Sequence, residues 1–215
     1  MRKLISLIAT MAGVLMVALM GTPAVAADLP NPLGLRGFNV GMTLDEMRQL
    51  KFPDPTTDDV RLICSGDKLS DEAGLNPLPG REPSYFGTKT CAFFAVANGK
   101  VRKVSMIVGG PDARVTFAFT PKASGPAVSE RLFYIVAEVK SAYFSELDAA
   151  YVAKFGQPDR RGRLPDRDMF WTSRHASLSF FDHQNEISIV YADAKLEQLV
   201  HALKKTMGKP GADKL

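Results

Sequence analysis

The sequence predicts an α+β fold: two helix-plus-antiparallel-sheet units in tandem, with a C-terminal helix. Two stretches carry that expectation, "GFNVGMTLDEMRQLKFPD" from residue 37 and "YFSELDAAYVAKFGQPD" from residue 143, which share a helix start, an apolar stripe and a terminator. A third observation supports it. Most of the strand-like segments that follow are joined by turns rather than by helices, which fits parallel β-α-β winding badly and favours short helices packed across antiparallel hairpins.

The chain opens with Arg2 and Lys3, continues through "LISLIATMAGVLMVALM" and reaches Ala24-Val25-Ala26 after Gly21 and Pro23. A charged head, an apolar run and an Ala-x-Ala site read as a signal peptide over residues 1–27. A membrane helix is the competing reading, but about seventeen mostly apolar residues is marginal for a span, and the Gly21-Thr22-Pro23 break favours processing. No cysteine lies near the cleavage site to carry a lipid, so the expected product is soluble and periplasmic or secreted. Loss of Arg2 and Lys3 reduces 27 basic side chains to 25 against 23 acidic ones, a net of +2. The basic character of the whole chain therefore gives no case for a nucleic-acid partner.

Residues 28–36 are rich in turn formers and read as an N-terminal arm. The first unit is expected over 37–140. Thr43 and Glu46 have the spacing of a capping box, Leu44, Met47 and Leu50 recur on one helical face, and Pro53 stops the helix. "DVRLIC" reads as a strand, followed by a long polar connection. "CAFFAVA" and "VRKVSMIV" flank Asn98-Gly99, a strong signal for a tight hairpin. "RVTFAFT" and "RLFYIVAEV" follow as strands, one of them expected in the hairpin's sheet.

The second unit is expected over 143–207. Ser145 and Asp148 repeat the cap spacing, Leu147, Tyr151 and Phe155 form the stripe, and "FGQPD" ends the helix. "MFWTS", "ASLSFF" and "EISIVYA" are its strands. Residues 193–205 form a closing helix with Leu196, Leu199, Val200 and Leu203 on one face, and residues 208–215 are left as a tail.

Cys64 and Cys91 both lie in the exported part, and an even count in an oxidising compartment predicts a disulfide. A redox or nucleophilic role would need a Cys-x-x-Cys pair or an activating neighbour, and neither is visible.

The first helix start resembles the "PGMT.EEV..LLG.P" segment of the SmpA/OmlA-type outer-membrane assembly lipoproteins, through Gly41, Met42, Thr43 and Glu46. Phe155, Gly156, Pro158 and Asp159 are similar to its "LG.P" close on the second copy. The tandem arrangement resembles the β-lactamase-inhibitory-protein fold. The chain departs from the lipoprotein pattern in lacking a lipidated cysteine and in having Pro53 where the Gly is usual. What the resemblance implies is a helix-then-sheet unit used twice and a place in the cell envelope.

Residues that carry chemistry are sparse. His175, His183 and His201 do not form a zinc motif, and no nucleophile elbow or phosphate loop is present. Asp67, Asp71 and Glu72 share a loop without EF-hand spacing; a solvated loop is expected there, with a weak cation site as the alternative. No catalytic residue, cofactor or metal is expected. The candidate partner-binding residues are Arg160, Arg161, Arg163 and Arg167 with Trp171, a basic connector beside aromatics suited to an acidic protein patch or an anionic envelope polymer. A soluble loop followed by a core aromatic is the favoured reading of this stretch, and partner binding the alternative. The expected function is a periplasmic binding or envelope-assembly accessory protein acting through protein contacts, without catalysis and with an envelope protein as partner. An inhibitor or modulator of an extracytoplasmic enzyme is the alternative, and an enzyme of unrecognised type the third.

Overall fold

The structure, a computed structural model, describes residues 29–70, 72–74, 87–125, 127–162, 167–183 and 185–207. The expected signal peptide and C-terminal tail lie outside the described residues. The fold is α+β, as expected, but the two discrete tandem units are not found. Strands from both halves form one continuous ten-stranded sheet.

The chain enters through a small ribbon, β1 (Gly34–Leu35) against β2 (Phe38–Asn39), and then α1 (Leu44–Gln49). The capping box forms as predicted. The Glu46 N–H donates to Thr43 Oγ1 at 3.1 Å, and the Thr43 N–H donates to Glu46 Oε2 at 2.7 Å. These bonds from Thr43 hold the Glu46 carboxyl below its ordinary value of 4.5. Replacing Thr43 by Ala should lower stability by about 1 kcal/mol in a urea titration. A depressed carboxylate stabilises the fold above its unfolded-state pKa and loses that contribution as pH falls through the folded-state value. The advantage of wild type over Glu46→Gln should therefore shrink as pH drops below 4.5.

Next come β3 (Val60–Cys64), β4 (Lys89–Ala97) and β5 (Lys100–Lys103). Asn98 and Gly99 join the last two with φ of 50° and 73°. Both signs match the two-residue hairpin turn that Asn-Gly favours. Cys64 and Cys91 sit directly opposite each other in β3 and β4, fully buried, and are joined by a disulfide.

The segment read as one strand from 101 to 108 divides. β5 stays with β4, whereas β6 (Met106–Ile107) pairs with β7 (Asp112–Phe119). The cause lies in β4, whose start pairs with β7 at Lys89 to Cys91 and whose end pairs with β5 at Phe94 to Ala97. Strands β4 and β7 diverge, and the 100–107 segment fills the wedge.

Both β7 and β8 (Leu132–Lys140) belong to the hairpin's sheet. The second half then supplies α2 (Phe144–Phe155), β9 (Arg160–Arg161), β10 (Met169–Thr172), β11 (Ala176–His183), β12 (Glu186–Asp193) and α3 (Ala194–Met207). Strand order is β3-β4-β7-β8-β12-β11-β10-β9. The correction turns on β8: its free edge takes β12, from Lys140↔Glu186 to Tyr134↔Ala192, so a strand of the first half and one of the second are neighbours. A bare strand edge pairs with whatever antiparallel strand reaches it, and leaving it open would expose unpaired backbone groups.

The second cap is also corrected. Helix α2 begins at Phe144 after a 3₁₀ turn over Ser141–Tyr143, with Tyr143 at the cap position and no side-chain cap bond. Ser145 lies within the helix, and Asp148 bonds to Arg161 instead. The predicted stripe holds, since Leu147, Tyr151 and Phe155 are buried.

One face of the sheet carries the main core, under α1, α2 and the 29–40 segment. Phe38, Phe93 and Phe117 pack ring against ring there. Tyr151 of α2 and Tyr191 of β12 share a buried hydroxyl hydrogen bond. Burial pushes the Tyr151 phenol up to about 12, and Tyr191 upward as well. Gly109, at φ 65°, lets the β6–β7 turn pass under α2, because a Cβ there would lie 2.9 Å from Leu147 Cδ2.

Among the described residues, apolar side chains cluster on the opposite face at two places. Leu69 and Ala73 lie over Ile63, Ala92 and Phe94, and Leu196 and Val200 of α3 lie over Ala118, Phe133 and Tyr134. Among the described residues, no helix is long and apolar enough to cross a membrane.

Candidate functional site

Strand alternation decides what β9, β10 and β11 show to each side. Met169, Trp171, Leu178 and Phe180 point into the main core. Their neighbours Phe170, Ser179 and Phe181 point to the opposite, outer face and are half-buried. Phe170 and Phe181 meet edge to face, with centroids 5.6 Å apart and planes at 80°. Arg160 is directly across from Phe170 on β9, and its guanidinium carbon lies 4.1 Å from that ring's centroid. Arg160, Phe170 and Phe181 thus form a cation–aromatic group on the outer face, apart from the Ala118, Phe133 and Tyr134 cluster that packs with Leu196 and Val200 of α3.

The predicted residues separate on this geometry. Arg161 faces the core side and forms a bidentate pair with Asp148 at 2.7 and 2.9 Å, which raises the pKa of its guanidinium. Arg167 donates from Nε to Asp182 Oδ2 at 2.6 Å and lies 4.0 Å from the Phe144 ring centroid. Asp182, buried beneath it, also accepts from Ser141 Oγ at 3.2 Å. Trp171 is 1% exposed and donates from Nε1 to the Gly156 carbonyl at 2.9 Å, which leaves it no surface to offer a partner. Arg163 lies outside the described residues.

Arg160 differs from the other described arginines. Carboxylates pair with Arg36, Arg48, Arg61, Arg102, Arg114, Arg161 and Arg167. Arg131 donates to the Gly41 carbonyl and Arg174 to His175 Nε2. Among the described residues, Arg160 has no hydrogen-bond acceptor, and it is exposed.

Sequence reasoning set the basic connector beside Phe170 and Trp171, carried Trp171 forward as the candidate, and passed over Phe181. The usable signal was Ser177 and Ser179 alternating with Leu178 and Phe180, which fixes the buried side of β11. Pairing of Phe170 with Ser179 and of Trp171 with Leu178 carries that assignment to β10.

Several other charged side chains are committed to structure. Lys103 is half-buried beside Arg114 and Glu138 and donates from Nζ to Thr116 Oγ1 at 3.0 Å. Burial lowers its pKa, the Arg114 charge adds to that, and Glu138 opposes it. Arg114 in turn pairs with Glu138 and Glu186. Asp67 pairs with Arg48 and accepts from the Cys64 N–H, while Asp71 lies outside the described residues. A groove at the β4–β5 hairpin contains Asp58 and Asp59, but these pair with Arg102 and Arg61. Among the described residues, no three metal-binding side chains come together. Comparison of the chain with protein-family models, curated proteins and solved structures finds no match.

Proposed function

We propose that this protein is a periplasmic binding component, an envelope-assembly accessory that works through protein–protein contact at the outer face of β9 to β11. One observation carries the reading: an arginine with no acceptor among the described residues lies over a half-exposed aromatic pair, on the outer face away from the Ala118, Phe133 and Tyr134 cluster that Leu196 and Val200 of α3 cover. Arginine and aromatic side chains are the residue types that dominate binding energy at protein interfaces. The buried disulfide supports an oxidising compartment, in agreement with the export signal expected from the sequence.

The test is crosslinking capture in cells that make the full chain, combined with fractionation of the envelope. Ser179 faces outward between Phe170 and Val190, so Ser179→Lys places a charge in the middle of the face while the fold, checked by thermal melting, is kept. A specific envelope partner should be captured by wild type and by the remote variant Lys195→Glu, and lost with Ser179→Lys. Equal capture by all three would overturn the assignment of the face. A captured enzyme whose turnover falls on binding would make the protein a modulator rather than an assembly accessory.

A further inference from the structure

Resting on that reading, we infer that the docking group of the partner is a protein carboxylate flanked by an apolar side chain, seated across Arg160, Phe170 and Phe181. The Phe170 ring lies against the Arg160 guanidinium, 4.1 Å from its carbon to the ring centroid. Its N–H donors have no acceptor among the described residues, and a guanidinium fork fits a carboxylate with two parallel bonds. The half-buried rings of Phe170 and Phe181 flank that position and offer apolar area to the residue next to the carboxylate.

A protein segment fits this arrangement better than a polyanion. A polymer of repeating negative charge is held by a row of available cations, whereas the nearest described arginines here are neutralised, Arg161 by Asp148 and Arg167 by Asp182. What remains is a single cation set in aromatic surroundings, the composition of a protein hot spot rather than of an electrostatic track.

The experiment is an NMR titration of isotope-labelled protein, following the Arg160 Nε–Hε signal and the ring protons of Phe170 and Phe181. The probes are acetyl-Leu-Glu-Phe-Glu-Leu-amide, its Gln-for-Glu analogue, and dextran sulfate as the polyanion. The acidic peptide should shift all three side chains, and the Gln analogue should bind about tenfold more weakly, because its hydrogen bonds are not charge-assisted. Arg160→Lys should also weaken binding about tenfold, since a lysine neither stacks flat nor forks. Phe170→Leu, which keeps apolar volume, should weaken it several-fold. Equal binding of the two peptides, no shift at Arg160 up to millimolar peptide, or a response to dextran sulfate alone would overturn the inference. Cellular capture separates this failure from that of the underlying reading. Capture lost with Ser179→Lys but unchanged with Arg160→Lys would keep the face and remove the carboxylate. Capture surviving both substitutions would remove the face as well.

Discussion

Replacing Cys64 and Cys91 together by alanine should lower the free energy of unfolding by about 3.5 kcal/mol, the chain-entropy value for a closed loop of about 28 residues. In urea the midpoint should fall by roughly 1.75 M, given slopes of about 2 kcal/mol/M for chains of this size. The position of the bond makes the effect large. Strand β3 lies at the end of the sheet order and pairs only with β4 among the described strands. It nevertheless contributes to both faces: Leu62 packs against the main core and Ile63 belongs to the cluster under Leu69 and Ala73. Loosening β3 therefore disturbs two apolar clusters at once. A loss below about 1 kcal/mol would show that the unfolded loop is already compact and that closing it removes little entropy.

Trp171→Ala should have a comparable or larger effect, about 3–5 kcal/mol, the range for deleting a buried aromatic. The indole packs against Phe180 at a centroid distance of 5.7 Å and satisfies the carbonyl of Gly156, the residue that ends α2. Truncation leaves a cavity and an unpaired acceptor where the helix turns back to the sheet. Because the chain has a single tryptophan, the comparison should be read by far-UV circular dichroism rather than by fluorescence. Arg160→Ala, on the strand next to that of Trp171, should stay within about 0.5 kcal/mol of wild type, as exposed substitutions do. Similar losses for the two variants would refute the division between core Trp171 and surface Arg160.

What could be read from the sequence was local. The Thr43/Glu46 box, the Asn98-Gly99 turn, the stripe of α2 and the pairing of the two cysteines each depend on residues whose spacing or number points to the outcome. The two-unit arrangement failed because it required knowing where β8 ends its pairing. Nothing in "RLFYIVAEV" says which strand takes its second edge, and the answer lies in a segment far along the chain. The second cap failed for a different reason: Ser145 and Asp148 have the right spacing, but an upstream 3₁₀ turn starts the helix sooner and Arg161 engages Asp148. At the candidate site, a cluster of arginines looked like one basic surface, yet neighbours in sequence fall on opposite sides of a strand. Arg160 and Arg161 are adjacent in the chain and end in different surroundings, one on an aromatic ring and one on a carboxylate. Charge counting along the chain could not separate them, whereas the alternation of a strand does.

The place of β8 also sets an order in time. A chain made from its N-terminus completes β7 and β8 as a pair, but the far edge of β8 must wait for β12, which follows on the order of fifty residues later. During that interval Tyr134 to Lys140 is a nearly finished strand with one side bare, the kind of template that invites pairing with another chain. The centre of the sheet is thus among its last parts to close, and the safe handling of the nascent protein depends on how soon residues 186–192 follow.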